Sequence, residues 1–298
     1  TVGRNKYREL VWLNYVPGVR ESRRLMGDYI MTQNDFDKQI LHPDTIGFTD
    51  WGIDVHHPEG FWVRGNDCIH VYHGRRVSIP YRSLYSKNID NLFIAGRCHS
   101  VTHIALGATR VMRPMMLTGQ AAGTAAVIAV ENKTSPRGVY KKHIKELQQR
   151  LLKDGCYLLG VKNADKNDLA LSAKLTASTS EKDMPPEKVI NGWNRILGKD
   201  RNAWAPAKEA KGPHWIELNL PRAQNISSVH VTFEKGKSVG FSVEAMVGGE
   251  YKTIADLMQN KLRRCVVNFA PVTTGKIRIT TVKLPVICEI RLYDENGK

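Results

Sequence analysis

The chain has 298 residues, with an apolar fraction of 42%, a charged fraction of 24% and a formal net charge of +15 at pH 7. That is an ordinary globular composition, in a chain long enough for two domains with cores of their own. No apolar run approaches the roughly 20 residues that a membrane-spanning helix needs. The basic excess comes without an arginine-rich tail, a zinc module or a stacking-aromatic signature, which argues against nucleic acid as a partner.

Leu10 to Val16 is an apolar patch that predicts a strand. Arg20, Arg23 and Arg24 follow at helical spacing. They form either a guanidinium cluster suited to a carboxylate or phosphate, or a solvated turn of helix with Glu21 and Asp28 as partners. His56, His57, His70 and His73 come next, without HxxxH spacing and among Pro and Gly, with a short strand expected over Cys68–Tyr72. No metal site is expected there. Tyr81 and Arg82 follow Pro80 in a segment that should be extended. The cysteines, Cys68, Cys98, Cys156, Cys265 and Cys288, have no CxxC spacing. They are expected as buried free thiols, with a Cys265–Cys288 disulfide as the alternative should those two strands be neighbours.

Asn91 to Glu131 is organised around one break. The apolar run Leu92–Ala95 predicts a strand, Gly96 a tight turn, and the segment up to Arg110 a loop. A helix should start near Arg113, with Pro114 in its first turn and about four turns over Met115–Val130. Arg110 and Arg113 then crowd a helix N-terminus, which is favourable only with something negative alongside. Gly119 and Gly123, with Ala121, Ala122, Ala125 and Ala126, should form one small-residue face. From Pro136 a further amphipathic helix runs to Gly155, with Val139, Ile144, Leu147 and Leu151 on its apolar side.

Beyond residue 160 short alternating runs appear at 215–220, 227–233, 241–247, 265–269, 276–282 and 286–294. Their spacing predicts an antiparallel sandwich. The expected division is therefore 1–160, an α/β domain, and 161–298, an all-β jelly-roll sandwich. Trp193 and Trp204 fall in loops and are either stacking platforms or buried beneath the long loop, whereas Trp215, opening a strand, is expected in the core.

The run NLFIAGRCHSVTHIALGATR, followed by TGQAAGTAA, resembles the C-terminal flavin-contacting segment of bacterial FAD-dependent oxidoreductases. VPGVRESRRLMGDYIMTQNDF and SIPYRSLYSKNIDNL agree in order, so the resemblance covers most of residues 7–155. It implies a partial FAD-binding oxidoreductase domain whose Gly-rich dinucleotide fingerprint lies upstream of Thr1. It implies FAD as cofactor, with Ala95, Gly96, Arg97, Cys98, Gly107, Arg113, Pro114, Met115 and Met116 in contact with it. The GATR element is similar to the GANR element of fumarate-reductase-type flavoproteins, whose arginine faces a substrate carboxylate. Arg110, His103 and Arg23 are the catalytic candidates on that basis, and His99 is a second candidate for proton transfer beside His103. The helix N-terminus would face the pyrimidine side of the flavin, and the histidines at 56–73 with Trp62 would belong to a substrate-side cap. The implied activity is flavin hydride transfer on a small-molecule or carbohydrate substrate.

The second half resembles discoidin or coagulation-factor type C domains, the galactose-binding-like jelly rolls. The matching phrases are Ala177-Ser178, VINGW from Val189, Trp204, WIELNL and EIRLYD. A glycan ligand on Trp193 and Trp204 is implied, or a purely structural module without catalytic activity. A periplasmic or secreted setting is favoured.

Overall fold

In the computed structural model, residues 9, 11–12, 23–57, 59, 62–66 and 68–295 are described. The strand expected over Leu10–Val16 lies outside the described residues except for Val11 and Trp12, and so does Arg20. The chain divides into two compact units, Thr1–Leu147 and Gln148–Lys298.

The first unit is a mixture of short antiparallel ribbons and helices. Helix α1 (Gln33–Asp37) has a capping box, in which the Asp35 carboxylate reaches back to accept from the Thr32 amide at 2.7 Å. Strand β1 (Thr45–Thr49) pairs with β4 (Val77–Pro80), and β2 (Ile53–His56) with β3 (Cys68–Val71), both antiparallel. Tyr81–Ser83 is not extended but a turn of 3-10 helix directly after β4. That turn buries Tyr81, whose hydroxyl donates to the Pro136 carbonyl at 2.9 Å. It also aims Arg82 at the buried Asp44 carboxylate, with bonds of 2.9 and 3.0 Å.

Leu92–Ala95 is not a strand. It makes one bridge, Phe93 with Tyr85, flanked by bonds from Ile94 to Leu84 and from Ser86 to Leu92. The apolar residues are half-buried against a single neighbouring segment, too little pairing for a ladder.

The expected loop before Arg110 holds a further helix, α2 (His103–Thr109), with Thr102 as its N-cap. Gly107 sits where α2 meets β2, and a Cβ there would lie 2.7 Å from the Asp54 carbonyl oxygen. The glycine that makes this segment look like a loop therefore permits close packing of a helix.

Helix α3 spans Met112–Glu131, with Val111 at its N-cap. Pro114 is the third helical residue, in the first turn as expected, a position whose N–H would have no acceptor within the helix. The small residues do not share one face. Ala121, Ala122 and Ala125 are buried, while Gly119 and Gly123 lie on the exposed side with Met112, Met116, Val127 and Val130. The 100° step per residue separates the two stripes.

Pro136–Gly138 (α4), a π-helical turn over Val139–His143 and Ile144–Lys153 (α5) run on as one helix, opened by Ser135 accepting from the Gly138 amide at 3.1 Å. Gly155 ends it with a φ of +91°.

In the second unit one antiparallel sheet folds over itself. The strand order is β10 (Ile287–Tyr293), β6 (His214–Phe233), β9 (Arg264–Thr281), β7 (Phe241–Val247), β8 (Glu250–Leu257), with β5 (Lys174–Ala177) on the other side of β6. Four of the expected runs merge in pairs into the two long strands β6 and β9. Bulges at Asn219/Gln224 and Ile226/Ser228 bend β6. Its first half pairs with β5 and the end of β9, and its second half with β10 and the start of β9. Two layers result, and Ile216, Val231, Phe233, Phe241, Ile279 and Leu292 fill the space between them. Cys265 and Cys288 are free thiols, because β6 lies between their strands.

The outer face of the β10 layer is buried as well. Arg291 pairs with Glu289 at 2.8 Å, and His230 stacks on Tyr293 with centroids 5.0 Å apart. Lys153 covers the Tyr293 ring at 4.2 Å and also binds Glu295 at 2.7 Å.

Candidate cofactor site

Of the residues expected to hold a flavin, Ala95–Cys98 lie beside α3 and Arg113–Met116 in its first turn, whereas Gly107 packs α2 on β2. Ala95 leads into a 3-10 turn, Gly96–Cys98, whose first amide donates to Thr118 Oγ1 on α3 at 3.1 Å. Gly96 has a φ of +72° with open space on its Cβ side, so the backbone is free for close approach there. Arg97 is half-buried, and Cys98 is exposed rather than buried as expected. Arg113, Pro114, Met115 and Met116 form the first turn of α3. That turn has no acidic residue and no side-chain cap, so the leading amides keep their partial positive charge.

Arg23 and Arg24 are in coil, not helix, and exposed. The adjoining Leu25 amide donates to the Cys98 carbonyl at 2.9 Å, and Met31 pairs in parallel with Val101. The 25–31 segment therefore runs beside the 98–102 segment. Asp28 binds Arg137 at 2.8 and 2.9 Å instead of the neighbouring arginines.

The catalytic candidates on α2 are spread out. His103 opens the helix and is exposed, while Arg110 caps its far end, about 10 Å away along the axis at 1.5 Å per residue. The Arg110 guanidinium donates to the Asp54 carbonyl at 3.0 Å and stands 3.8 Å from its carboxylate. Arg113 is exposed and pairs with Asp50 at 3.2 Å. Gly107 faces Asp54.

His99 is fully buried, with Nδ1 2.7 Å from the Gly96 carbonyl and Nε2 3.2 Å from Thr109 Oγ1. A carbonyl only accepts, so Nδ1 carries the proton and Nε2 accepts from the threonine. Burial drives its pKa down to about 4 against the Gly96 bond, so the ring is neutral at pH 7. It braces the turn that presents Arg97.

The cap histidines do not act together. His70 stacks on Trp51 with centroids 5.6 Å apart, His73 lies 3.6 Å from Asp37, and His57 accepts from the Glu59 amide. Trp62 is exposed. Among the described residues no cluster of three or more His, Cys, Asp or Glu could hold a metal, and no helix is long and apolar enough to cross a membrane.

In the sandwich, Trp193 is half-buried, with Lys162 Nζ 5.5 Å from its ring centre. Trp204 is fully buried and donates from Nε1 to the Thr179 carbonyl at 3.1 Å, so it offers no open ring face. Trp215 is only half-buried, on the outer face of β6 rather than in the core. Sequence reasoning missed the group around it. The signal was present in the alternation of WIELNL, which sets Trp215 and Glu217 on the face opposite Ile216 and Leu218.

Residues 4–151 match the FAD dependent oxidoreductase family, and residues 174–291 match the F5/8 type C domain. The chain thus carries an N-terminal domain of that oxidoreductase family followed by a discoidin-like domain. No curated protein matches the chain. Among solved structures, the family 32 CBM from C. perfringens NanJ in complex with galactose is 18% identical and has a TM-score of 0.39, over 43% of this chain and 98% of its own. Chitosan-binding module 2 of a chitosanase/glucanase from Paenibacillus sp. IK-5, in complex with chitotriose, is 20% identical with a TM-score of 0.38, over 43% of this chain and all (100%) of its own. A putative alpha-L-fucosidase from Bacteroides thetaiotaomicron is 19% identical with a TM-score of 0.37, over 45% of this chain and 30% of its own.

Proposed function

We propose that this chain belongs to an FAD-dependent oxidoreductase acting on a small-molecule substrate of carbohydrate type, with a sandwich that binds glycan. The family match over 4–151 and one arrangement support the reading. An uncapped helix N-terminus, the open Gly96 turn and half-buried Arg97 sit together at the start of α3.

These residues fit one wall of a flavin site. Gly96 admits close approach, Arg97 supplies a guanidinium for the pyrophosphate or ribityl oxygens, and Met115 and Met116 offer apolar contact. FAD, when bound, supplies the hydride-accepting chemistry. The α3 amides would favour the negative charge of reduced FAD, and Thr118 fixes the Gly96 turn against the helix. His103 is the exposed imidazole for proton transfer, and Arg110 and Arg23 are the cations for an anionic substrate group. Arg110 is preorganised by Asp54, so its guanidinium is held in one orientation.

The test is a titration of the chain with FAD followed by flavin fluorescence. Saturable quenching that weakens about tenfold in Arg97→Ala is expected, about 1.4 kcal/mol. Quenching indifferent to Arg97 would count against the assignment. In the FAD-loaded enzyme, Arg110→Ala is expected to lower turnover about a hundredfold, as for loss of a positioning charge.

A further inference from the structure

The outer face of the larger sandwich layer carries a group that neither family match assigns. Arg278 on β9 lies between two aromatic rings, 4.5 Å from the centre of Trp215 on β6 and 3.6 Å from that of Tyr251 on β8. Its Nε and Nη2 donate to Glu217 Oε2 at 3.2 and 2.9 Å, and the Tyr251 hydroxyl donates to the same oxygen. Lys276 Nζ stands 3.8 Å from the other carboxylate oxygen. Burial opposes ionisation of Glu217, but the bonds from Tyr251 and Arg278 hold its carboxyl below the usual range.

The strand order is β6-β9-β7-β8, so Tyr251 reaches a carboxylate three strands away. Both side chains must therefore lie along the sheet rather than stand off it. The face they cover spans about 14 Å across the strands, at about 4.8 Å per interval. Trp215, Tyr251 and Arg278 are each half-buried there.

We propose that this face is a binding platform for a neutral oligosaccharide, an assignment that rests on reading the second unit as a glycan-binding module. Flat, rigid rings match the C–H faces of pyranose sugars at little conformational cost. Arg278 has five N–H groups, of which two serve Glu217, so donors remain for hydroxyl groups. Around the rings Arg278 and Lys276 both approach Glu217, and Glu244 accepts from Thr280 at 3.1 Å. The centre of the face therefore carries two acidic and two basic groups, a balance that does not single out an anionic polymer. Its width accommodates several sugar units side by side with the two rings. The platform lies on strands, so it is more rigid than a loop site.

The experiment applies the full chain to arrayed neutral oligosaccharides, then measures the strongest binder by calorimetry. Trp215→Ala is expected to weaken that binding about tenfold or more, and Trp193→Ala to leave it within twofold. Thr253→Arg adds bulk at an exposed position on the same face, opposite Glu244, without disturbing the core. It is expected to weaken binding as strongly, which guards against misfolding of the tryptophan variant. Binding lost in Trp193→Ala but kept in Trp215→Ala or Thr253→Arg would overturn the platform and leave a glycan module with a loop site. No binding of any neutral oligosaccharide by the unaltered chain would overturn both.

Discussion

The two units are held together in different ways. The sandwich has one continuous apolar core between layers that share two strands, with Trp204, Phe233 and Phe241 fully buried. The oxidoreductase-family unit is built from two-stranded ribbons and helices, pinned by polar contacts between distant segments, Arg82 to Asp44 and Arg137 to Asp28, and locally by His42 to Asp35. Its candidate site residues lie at helix ends and turns. The sandwich places its polar groups on strand faces instead. A core of the first kind specifies stability by volume, and a frame of the second kind by orientation.

The sharpest break in that comparison is Trp204→Ala, which should cost the sandwich about 3–5 kcal/mol in denaturant unfolding, the range for emptying a buried aromatic site. Trp193→Ala, half-buried under Lys162, should cost about 1 kcal/mol or less in the same measurement. Equal losses would mean that the two tryptophans share one environment.

Acid tests both units at once. His99 in the first and His230 in the second have pKa values lowered from 6.5 to about 4 and about 3, mainly by burial and, for His230, then by Arg264. The folded state resists their protonation while the unfolded chain accepts it. Each contribution is therefore intact above pH 6.5, declines as pH falls below it, and levels off once the folded-state pKa is passed. For His99 the loss amounts to about 3 kcal/mol. His99→Gln should flatten that decline in the first unit and leave the second unchanged, as followed by unfolding midpoints between pH 7 and 4.

Arg82→Ala strands the Asp44 carboxylate, which is 1% exposed, and should destabilise the first unit by about 2 kcal/mol. Arg113→Ala removes a pair whose side chains are 72% and 44% exposed and should change stability by less than about 0.5 kcal/mol. A large effect there would show that Arg113 is buried by something other than Asp50.

Much of the sandwich was legible because β-alternation and turn residues are local signals. The edge strand β8 was missed because Lys252, Thr253 and Asp256 are all exposed, so Tyr251–Leu257 never reads as a core strand. The joining of short runs into β6 and β9 was hidden for another reason: Pro221 and Gly275, residue types that ordinarily interrupt strands, sit at a bend that both strands pass through. The Gly96 turn in the first unit and the helix stop at Gly155 in the second followed from backbone requirements of glycine. Helix α2 did not, since Gly107 is there for packing on Asp54, a contact no local pattern encodes. For the same reason the sequence marked Arg110 as important but could not show that Asp54 orients it. Cys98, an isolated thiol expected inside, turned out to be exposed because the 3-10 turn points it outward.

The bending of β6 and β9 has a kinetic consequence. Each strand contributes one half to each layer, so neither layer can detach without breaking the hydrogen bonds of the other. The sandwich should therefore lack partially open forms, and its amides at Val229, Val231, Ile277 and Ile279 should exchange with solvent deuterium at one shared rate set by complete unfolding.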